Sequence, residues 1–381
     1  MRCTFESGPI RPPSEAKSLL LRCTRNCPWN KCAFCHTYKG EKFSFRTTDE
    51  IKADIARMKE IADSVREVSW RMGLAGAVTR EVISAAARNP GERGEIFAVA
   101  GWLLEGPRSA FLQDADSLVM KTDELCDVLR FLRAQFPSIE RVTTYARART
   151  VAHKGVSDLK ALREAGLDRI HIGMESGSDE VLKLVKKGVT AAGHAEAGGA
   201  VKAAGIELSE YWMPGLGGRA LSKVHAVESA HVLNAVDPHF IRLRSIAIPP
   251  GTPLFDMWRS GEFIKPSDDE IVAEIRLFVE ELDGIHSRIV SDHILNLLEE
   301  VEGVLPDDKP RILASIDRYL DLPPRDRVVF KLGRRTGRFR VLDDLTDAGA
   351  RAGTEQLMDE MGVKDDQTLE EQMTTLMMRF I

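Results

Sequence analysis

"SLLLRCTRNCPWNKCAFCHTY", residues 18–38, runs from an apolar stretch into a loop with three cysteines in nine positions. Cys27, Cys32 and Cys35 are separated by four residues and then two. The opening "SLLLRCTR" reads as a strand that feeds the loop. Four soft ligands would close a tetrahedral site, whether structural zinc or an electron-transfer cluster, and leave no position for a substrate. Three thiolates around a four-iron cluster leave one iron open. Two other readings stand beside this one: a zinc knuckle completed by Cys23 or His36, and redox chemistry of the "CAFC" pair alone.

Five more segments downstream each read as a strand running into a loop: "SAFLQDADSLVM" (109–120), "RVTTYARA" (141–148), "RIHIGMES" (169–176), "IELSEYWMP" (206–214) and "FIRLRSIAIPP" (240–250). Amphipathic segments such as "TDELCDVLRFLRAQF" and "SDEVLKLVKKG" lie between most of them, several with Ser, Thr or Asp near the start and Gly near the end. Such β-α repeats in series imply a parallel sheet. The expected fold class is α/β, a partial (β/α)6 TIM-type barrel. Polar or small residues gather where the strands end, the edge at which such sheets hold their sites.

Residues 66–106, helix-like and Ala-rich, exceed what a crossover needs and are expected to form an insertion or cap near the barrel mouth. From about 260 the pattern turns helical, through "SDDEIVAEIRLFVEELDGI", "SRIVSDHILNLLEEVEGVL" and "KPRILASIDRYL". The expected organisation is an N-terminal extension (1–15), a core (16–258, insertion about 66–106) and a mainly helical C-terminal domain (259–381). On a helix His286, His293 and Asn296 would share one face, in a surface or interface role.

The 381 residues are 43% hydrophobic and 29% charged, ample for a large core, and the formal net charge of −5 gives no global field favouring nucleic acid. One basic stretch, "KLGRRTGRFR" (331–340), reads as a solvated hairpin or loop, or else as a phosphate-binding patch. No run approaches the roughly eighteen apolar residues of a membrane span, and the N-terminus has no signal-peptide pattern, so a cytoplasmic location is expected. Four of the six cysteines fall between positions 23 and 35, a clustering that points to metal binding over a disulfide framework.

The strand, the three-cysteine loop ending in "CAFC" and the six-repeat α/β pattern resemble the radical S-adenosylmethionine (radical SAM) superfamily, and within it the coproporphyrinogen-oxidase-like and elongator-like subgroup. The usual first gap there is three residues; "CPWNKCAFC" carries four. "FLQDADSLV" (111–119), "RIHIGMESGSDEVLKLVKKGVT" (169–190), "ELSEYWMPGLGG" (207–218) and "IRLRSIAIPPGTPL" (241–254) are similar to the second, fourth, fifth and sixth strand segments. The resemblance covers roughly residues 16–255. It implies a [4Fe-4S] cluster on Cys27, Cys32 and Cys35, with S-adenosylmethionine (SAM) chelating the open iron. It also implies reductive cleavage of SAM to a 5′-deoxyadenosyl radical, with electrons from a donor such as flavodoxin or ferredoxin.

The resemblance also supplies candidate cofactor-binding residues. Phe34 is a candidate wall for the adenine, or a packing residue of the loop. Glu175 is a candidate for the ribose hydroxyls, or a carboxylate starting a helix. Gln113 and Asp114 end the second strand, where the methionyl amine would be received; Asp116 lies close by. Tyr145, Arg147 and Arg149 alternate on the third strand; Ser209 is a candidate on the fifth. Arg242 and Arg244 alternate on the sixth and would share an interior face, meeting SAM's carboxylate, an anionic substrate, or Glu207 or Glu210. "PGLGG" (214–218) lacks a phosphate-loop lysine and reads as a tight turn allowing close ligand approach. No catalytic residue is assigned.

Cys3, Cys23 and Cys126 form no second set, which disfavours maturases and methylthiotransferases with auxiliary clusters. Thr37 stands where coproporphyrinogen dehydrogenases carry a fourth cysteine. No cobalamin domain is expected before the barrel and no acetyltransferase-sized tail after it. The leading expectation is a radical SAM enzyme acting on a small, candidate anionic substrate. RNA or tRNA modification is the alternative, and a non-catalytic zinc-stabilised interaction module is the third reading. No membrane partner is expected, and the oligomeric state is left open.

Overall fold

A computed structural model describes residues 5–88 and 93–377. They divide into two compact units. The first holds the chain up to Asn30, Thr37–Ile172 and Glu196–Leu208; the second holds Lys31–His36, Gly173–Ala195 and the chain from Ser209 onward.

In the first unit β1 (Leu19–Arg22), β4 (Ser109–Gln113), β5 (Arg141–Ala146) and the start of β6 (Arg169–Glu175) pair in parallel and in sequence order. β2 (Thr24–Arg25) and β3 (Ser44–Phe45) form a separate antiparallel ribbon that brackets the cysteine loop. Helix α1 (Thr48–Arg71) starts at a capping box, Thr47 with Glu50, and buries Ile51, Ile55, Met58, Ala62 and Val65 at helical spacing. α2 (Arg80–Ala86) and α3 (Arg93–Leu104) pack on α1, and α4 (Thr122–Gln135) and α5 (Ala148–Ala165) follow β4 and β5. The expected insertion is thus helical, with residues 89–92 outside the described residues. Trp102 donates from Nε1 to the Ser109 carbonyl at 2.9 Å, so α3 meets β4 at its N-terminal end, away from the strand edge where the site was expected.

The ends of β6 and β7 (Glu207–Trp212) lie in the second unit, where the Met213 N–H donates to the Glu175 carbonyl at 3.0 Å. β7 pairs in parallel with β8 (Phe240–Leu243), and β8 with β9 (Arg288–Val290); β10 (Gly303–Val304) runs antiparallel to β9. Along the chain follow α6 (Asp179–Leu184), α7 (Ala191–Ala203), which belongs to the first unit from Glu196 onward, α8 (Gly218–Val236), α9 (Pro253–Ser260) and α10 (Asp268–Glu281). α11 (Lys309–Leu320), α12 (Pro324–Arg335), α13 (Ala348–Met361) and α14 (Asp366–Met377) complete the unit. Trp212 stacks on Phe278 with ring centroids 3.7 Å apart, joining β7 to α10 in one apolar core that also takes Ile241, Ile289, Ile316 and Phe330. The α/β class with parallel strands is the one expected. No helix of the described residues is long and apolar enough to cross a membrane.

Two C-terminal expectations are corrected. "SRIVSDHILNLLEEVEGVL" is not a helix: Arg288–Val290 extends the sheet beside β8, and the segment after it is irregular up to β10. Asn296 fixes that irregular path from within, accepting from the Ser245 N–H at 2.9 Å and donating to the Leu243 carbonyl at 2.8 Å. His286, His293 and Asn296 therefore share no helix face. "KLGRRTGRFR" is not a solvated loop either, because its first five residues close α12. Lys331 bonds Asp366, Arg335 bonds Asp268, and Arg334 and Arg340 meet Glu299, so these cations are matched by the chain's own carboxylates.

Candidate functional site

The cysteine loop has neither helix nor strand between Arg25 and Ser44. Asn30, in the longer first gap, sits at φ +48°, the left-handed region that Asn tolerates better than most residues. Its side-chain amide donates to the Tyr38 carbonyl at 2.5 Å and the Glu41 carbonyl at 3.3 Å. Its backbone N–H points to Cys27 Sγ at 3.4 Å. The extra residue is thus absorbed by a strained position that its own side chain holds. Asn30→Ala is expected to cost about 1–2 kcal/mol through lost hydrogen bonds and left-handed strain. Iron retained after desalting, compared with Asn30→Gly, separates the two contributions: glycine restores the backbone but not the bonds.

Cys27, Cys32 and Cys35 are partly exposed, and none of the described cysteines is in a disulfide. Among the described residues no three His, Cys, Asp or Glu side chains are arranged as a preformed metal site. The donor chemistry separates the loop cysteines from Cys23. Cys23 is fully buried with its S–H towards the Leu21 carbonyl, and burial pushes its thiol up to about 12. A thiol held protonated in the core is a poor metal ligand. Three accessible soft donors in one loop fit an iron-sulfur cluster; Cys23 does not fit as a fourth. Cys3 lies outside the described residues.

At the end of β4, Asp114 is fully buried and committed to the protein's own donors. It accepts from Arg22 Nε at 2.9 Å and Nη2 at 2.7 Å, from the Asn26 N–H at 2.9 Å and from the Tyr38 hydroxyl at 2.8 Å. Gln113 is likewise occupied, accepting from the Gly8 N–H at 2.8 Å and donating to the Ile10 carbonyl at 2.8 Å. Asp116 is buried with Thr150 Oγ1 at 2.6 Å on Oδ2 while Oδ1 has no hydrogen-bond partner, and burial pushes its carboxyl up to about 7. Tyr145 sits edge-on to Phe111 with centroids 5.1 Å apart, and Arg147 stacks over Trp29 of the cysteine loop at 4.8 Å. The expected alternation stops there: β5 ends at Ala146, and Arg149 is an exposed residue in the first turn of α5.

In the second unit Glu175 ends β6 at φ +63° and pairs with Lys187 at 3.0 Å. Lys187 also lies 5.8 Å from the Phe34 ring, and Phe34 packs against the unit's apolar core. Lys187 was not legible in the sequence: it follows the short α6 at a tight turn, where no periodicity marks it. Glu210 is buried nearby with Oε2 unpartnered, and burial holds its carboxyl well above the usual range, Lys187 opposing and Glu175 adding to the effect. The acid expected for the arginines is neither Glu207 nor Glu210. Glu207 pairs with Arg169 at 2.8 Å in the first unit. Arg242 is buried against Ser209 Oγ at 3.2 Å and Asp292 at 3.0 Å. Arg244 lies just beyond β8 and is exposed, not interior, although its N–H still donates to the Trp212 carbonyl at 3.1 Å.

The "PGLGG" turn is tight, with Gly215 at φ +86° and Gly218 at φ +61°, but it is the protein that approaches it. A Cβ on Gly215 would lie 2.7 Å from Ile246, so no room is left for a ligand on that side. Glu274 fastens the turn, accepting from the Gly215 N–H at 2.6 Å and from Ser222. Burial pushes Glu274 up to about 7 from 4.5, outweighing those two bonds. The folded state then holds a proton that the unfolded chain has released, so stability from this group is complete below pH 4.5 and lost as pH rises to 7. At 1.36 kcal/mol per pH unit the loss is about 3 kcal/mol. Urea melts of wild type and Glu274→Gln at pH 5 and pH 8 should show the gap between them shifting by about that amount in the variant's favour. His225, whose Nε2 lies 3.7 Å from Glu274 Oε1, is pushed down to about 4 by burial and is therefore neutral in the folded protein at both pH values, so the carboxyl is the group whose charge the comparison follows.

The family described as the Radical SAM superfamily matches residues 21–226, more than half of the chain. A tRNA uridine(34) acetyltransferase of Methanocaldococcus infernus is 27% identical over 119 residues, 31% of this chain and 22% of that protein. One of Dehalococcoides mccartyi is 27% identical over 145 residues, 36% of this chain and 31% of that protein. The chain thus matches less than a third of the length of these relatives. Coproporphyrinogen III oxidase from Escherichia coli has a TM-score of 0.43 at 13% identity, covering 70% of this chain and 52% of its own. The matched segment takes in the cysteine loop, the end of β4 and the Glu175–Lys187 pair, and the chain belongs to the radical SAM superfamily.

Proposed function

We propose that this enzyme uses Cys27, Cys32 and Cys35 to hold its [4Fe-4S] cluster and cleaves SAM reductively to act on a small-molecule substrate, in the cytoplasm. The observation that carries it is the family match over the whole cysteine loop, together with three accessible thiols and a fourth sequestered in the core. The cofactors of the superfamily, a [4Fe-4S] cluster and SAM, supply a one-electron break of a carbon-sulfur bond when bound.

The chain's own residues have supporting roles in this reading. Glu175, paired with Lys187, offers a carboxylate to the ribose hydroxyls and an ammonium to a carboxylate. Phe34 gives the adenine an apolar surface. Tyr145, Arg147, Ser209, Arg242 and Arg244 are assigned to the cofactor or substrate surroundings, with Arg242 already matched by Asp292. Gln113 and Asp114 support the site through the backbone they hold. Residues 16–258 form the core in this reading and 259–381 the C-terminal domain, with a flavodoxin or ferredoxin as reductant.

Modification of a tRNA is the second reading, favoured by the names of the two acetyltransferases. The basic stretch 331–340 lends it little, since its cations meet carboxylates of the chain. Anaerobic reconstitution, dithionite reduction and detection of 5′-deoxyadenosine test the chemistry. About four irons per chain and deoxyadenosine formation support it; one zinc and no SAM cleavage would overturn it. A steep salt dependence of tRNA binding would favour the second substrate class.

A further inference from the structure

Where β1 and β4 begin, the first unit holds an opening that the cluster chemistry does not use. It is a groove of about 320 Å³, with α3 on one side and the N-terminal segment and the start of β1 on the other. That volume is at the lower end of the range for small-molecule sites, roughly 300–1,000 Å³. The bond from Trp102 to the Ser109 carbonyl fixes its place, because it ties α3 to the first residue of β4.

The sequence of α3 is unusual for a helix at a surface. "IFAVAGWLL", residues 96–104, is uncharged throughout, and a helix that is apolar all round is ordinarily covered all round. Ile96, Val99, Ala100 and Leu103 are buried at helical spacing. The other side turns Phe97, Gly101 and Leu104 to the groove, one stripe at i, i+4 and i+7, with Phe97 48% and Leu104 39% exposed. Glycine weakens a helix interior. Packing does not require it here, since a Cβ on Gly101 would meet nothing within 4 Å; its effect is to leave the groove open. Phe5, Leu19 and Leu20 complete the apolar lining.

The charged residues of the lining are Arg11, Lys17 and Glu105, two cations against one anion. Lys17 and Glu105 pair with each other at 2.6 Å. Arg11 is exposed and spends one donor, from Nη1 to the Ala16 carbonyl at 3.3 Å; among the described residues it has no carboxylate partner. The groove therefore offers one surplus positive charge beside an apolar stripe. A guanidinium matches a carboxylate with two parallel N–H···O bonds, and its exposed position lets a ligand reach it.

We propose that this groove binds a monocarboxylate with a slim apolar tail, the tail along Phe97, Gly101 and Leu104 and the carboxylate on Arg11. The lining lies within the first unit and includes no residue of the cysteine loop, so the site stands or falls independently of the cluster chemistry.

The probe is octanoate, titrated into the reconstituted full chain by calorimetry, with octanamide as its neutral and octylammonium as its cationic counterpart. Octanoate should saturate one site per chain and bind about tenfold tighter than octanamide, the advantage of a charge-assisted pair over a neutral one. Arg11→Gln should bring octanoate down to the level of octanamide and leave octanamide unchanged. Gly101→Leu puts a side chain into the groove and favours the helix, so it should abolish binding of both while its urea midpoint stays at or above that of the wild type. Failure of octanoate to saturate, equal binding of octanamide or octylammonium, or undiminished binding by a folded Gly101→Leu protein would each overturn the proposal. So would a wild-type dimer, read by sedimentation velocity, that ignores octanoate and becomes monomeric in Gly101→Leu, since the groove would then belong to a second copy of the chain. If Gly101→Leu fails to fold, Arg11→Gln and the ranking of the three probes on the wild type decide alone.

Discussion

Cys32→Ala should drop the iron content from about four per chain to near zero and push deoxyadenosine formation below detection, a loss of more than about a thousandfold. A cubane held by three thiolates has no spare protein ligand, so losing one leaves two irons open and the cluster labile. Cys27→Ala and Cys35→Ala should behave alike. Cys23→Ala provides the discriminating comparison. Cys23 is buried beside β1 with its thiol held protonated, so its removal should cost about 1 kcal/mol of packing and leave the iron content unchanged. Iron measured by colorimetry and cluster type by electron paramagnetic resonance read both arms. Iron loss in Cys23→Ala equal to that in Cys32→Ala would mean that four cysteines share the metal, and the open-iron reading would fail.

How much of this was legible in the sequence depended on the length of the signal. The six expected strands all appear, because each short apolar or β-favouring segment lies between turn or cap residues, and β6 alternates Ile170, Ile172 and Met174 over its seven residues. β9 has three residues, too short for alternation to show, and the helical spacing of Ile294, Leu297, Leu298 and Val301 dominated the reading. Tertiary bonds decided that segment: an open edge on β8 and the amide of Asn296. The basic stretch misled for a related reason. Charge density is visible in a sequence, but Asp268, Glu299 and Asp366, which match those cations, lie about thirty to seventy positions away.

Site residues divide in the same way. Cys27, Cys32 and Cys35 stand out as candidates because a metal-binding role would fix their type and local spacing. Glu175 became a candidate through its surrounding motif. Lys187 was not found, nor was Asp292 as the partner of Arg242, because an ion pair between distant segments leaves no local trace. Arg244 follows the end of β8 at Leu243 and is exposed, which alternation along the sequence could not show.

Asp114→Ala should destabilise the protein by about 3 kcal/mol and loosen the cysteine loop, without acting through contact with SAM. The carboxylate is fully buried and accepts four hydrogen bonds, two of them from Arg22, whose own side chain is largely buried. Removing it strands that guanidinium in the interior, a defect that typically costs 3–5 kcal/mol. Glu6, 3.7 Å from Arg22 Nη1, softens the loss towards the lower figure. Two of the lost bonds come from Asn26 and Tyr38, which flank Cys27 and Cys35 on either side, so the loop loses both tethers to the end of β4. Asp114→Asn distinguishes this positioning role from direct binding of SAM's amine. If Asp114 positions the loop, the Asn variant should lower the urea midpoint and iron retention together, while SAM affinity per intact cluster stays within about twofold of wild type. If it meets the ammonium directly, affinity per cluster should fall by tenfold or more with stability little changed, because a charge-assisted bond to the ligand would then be the interaction removed.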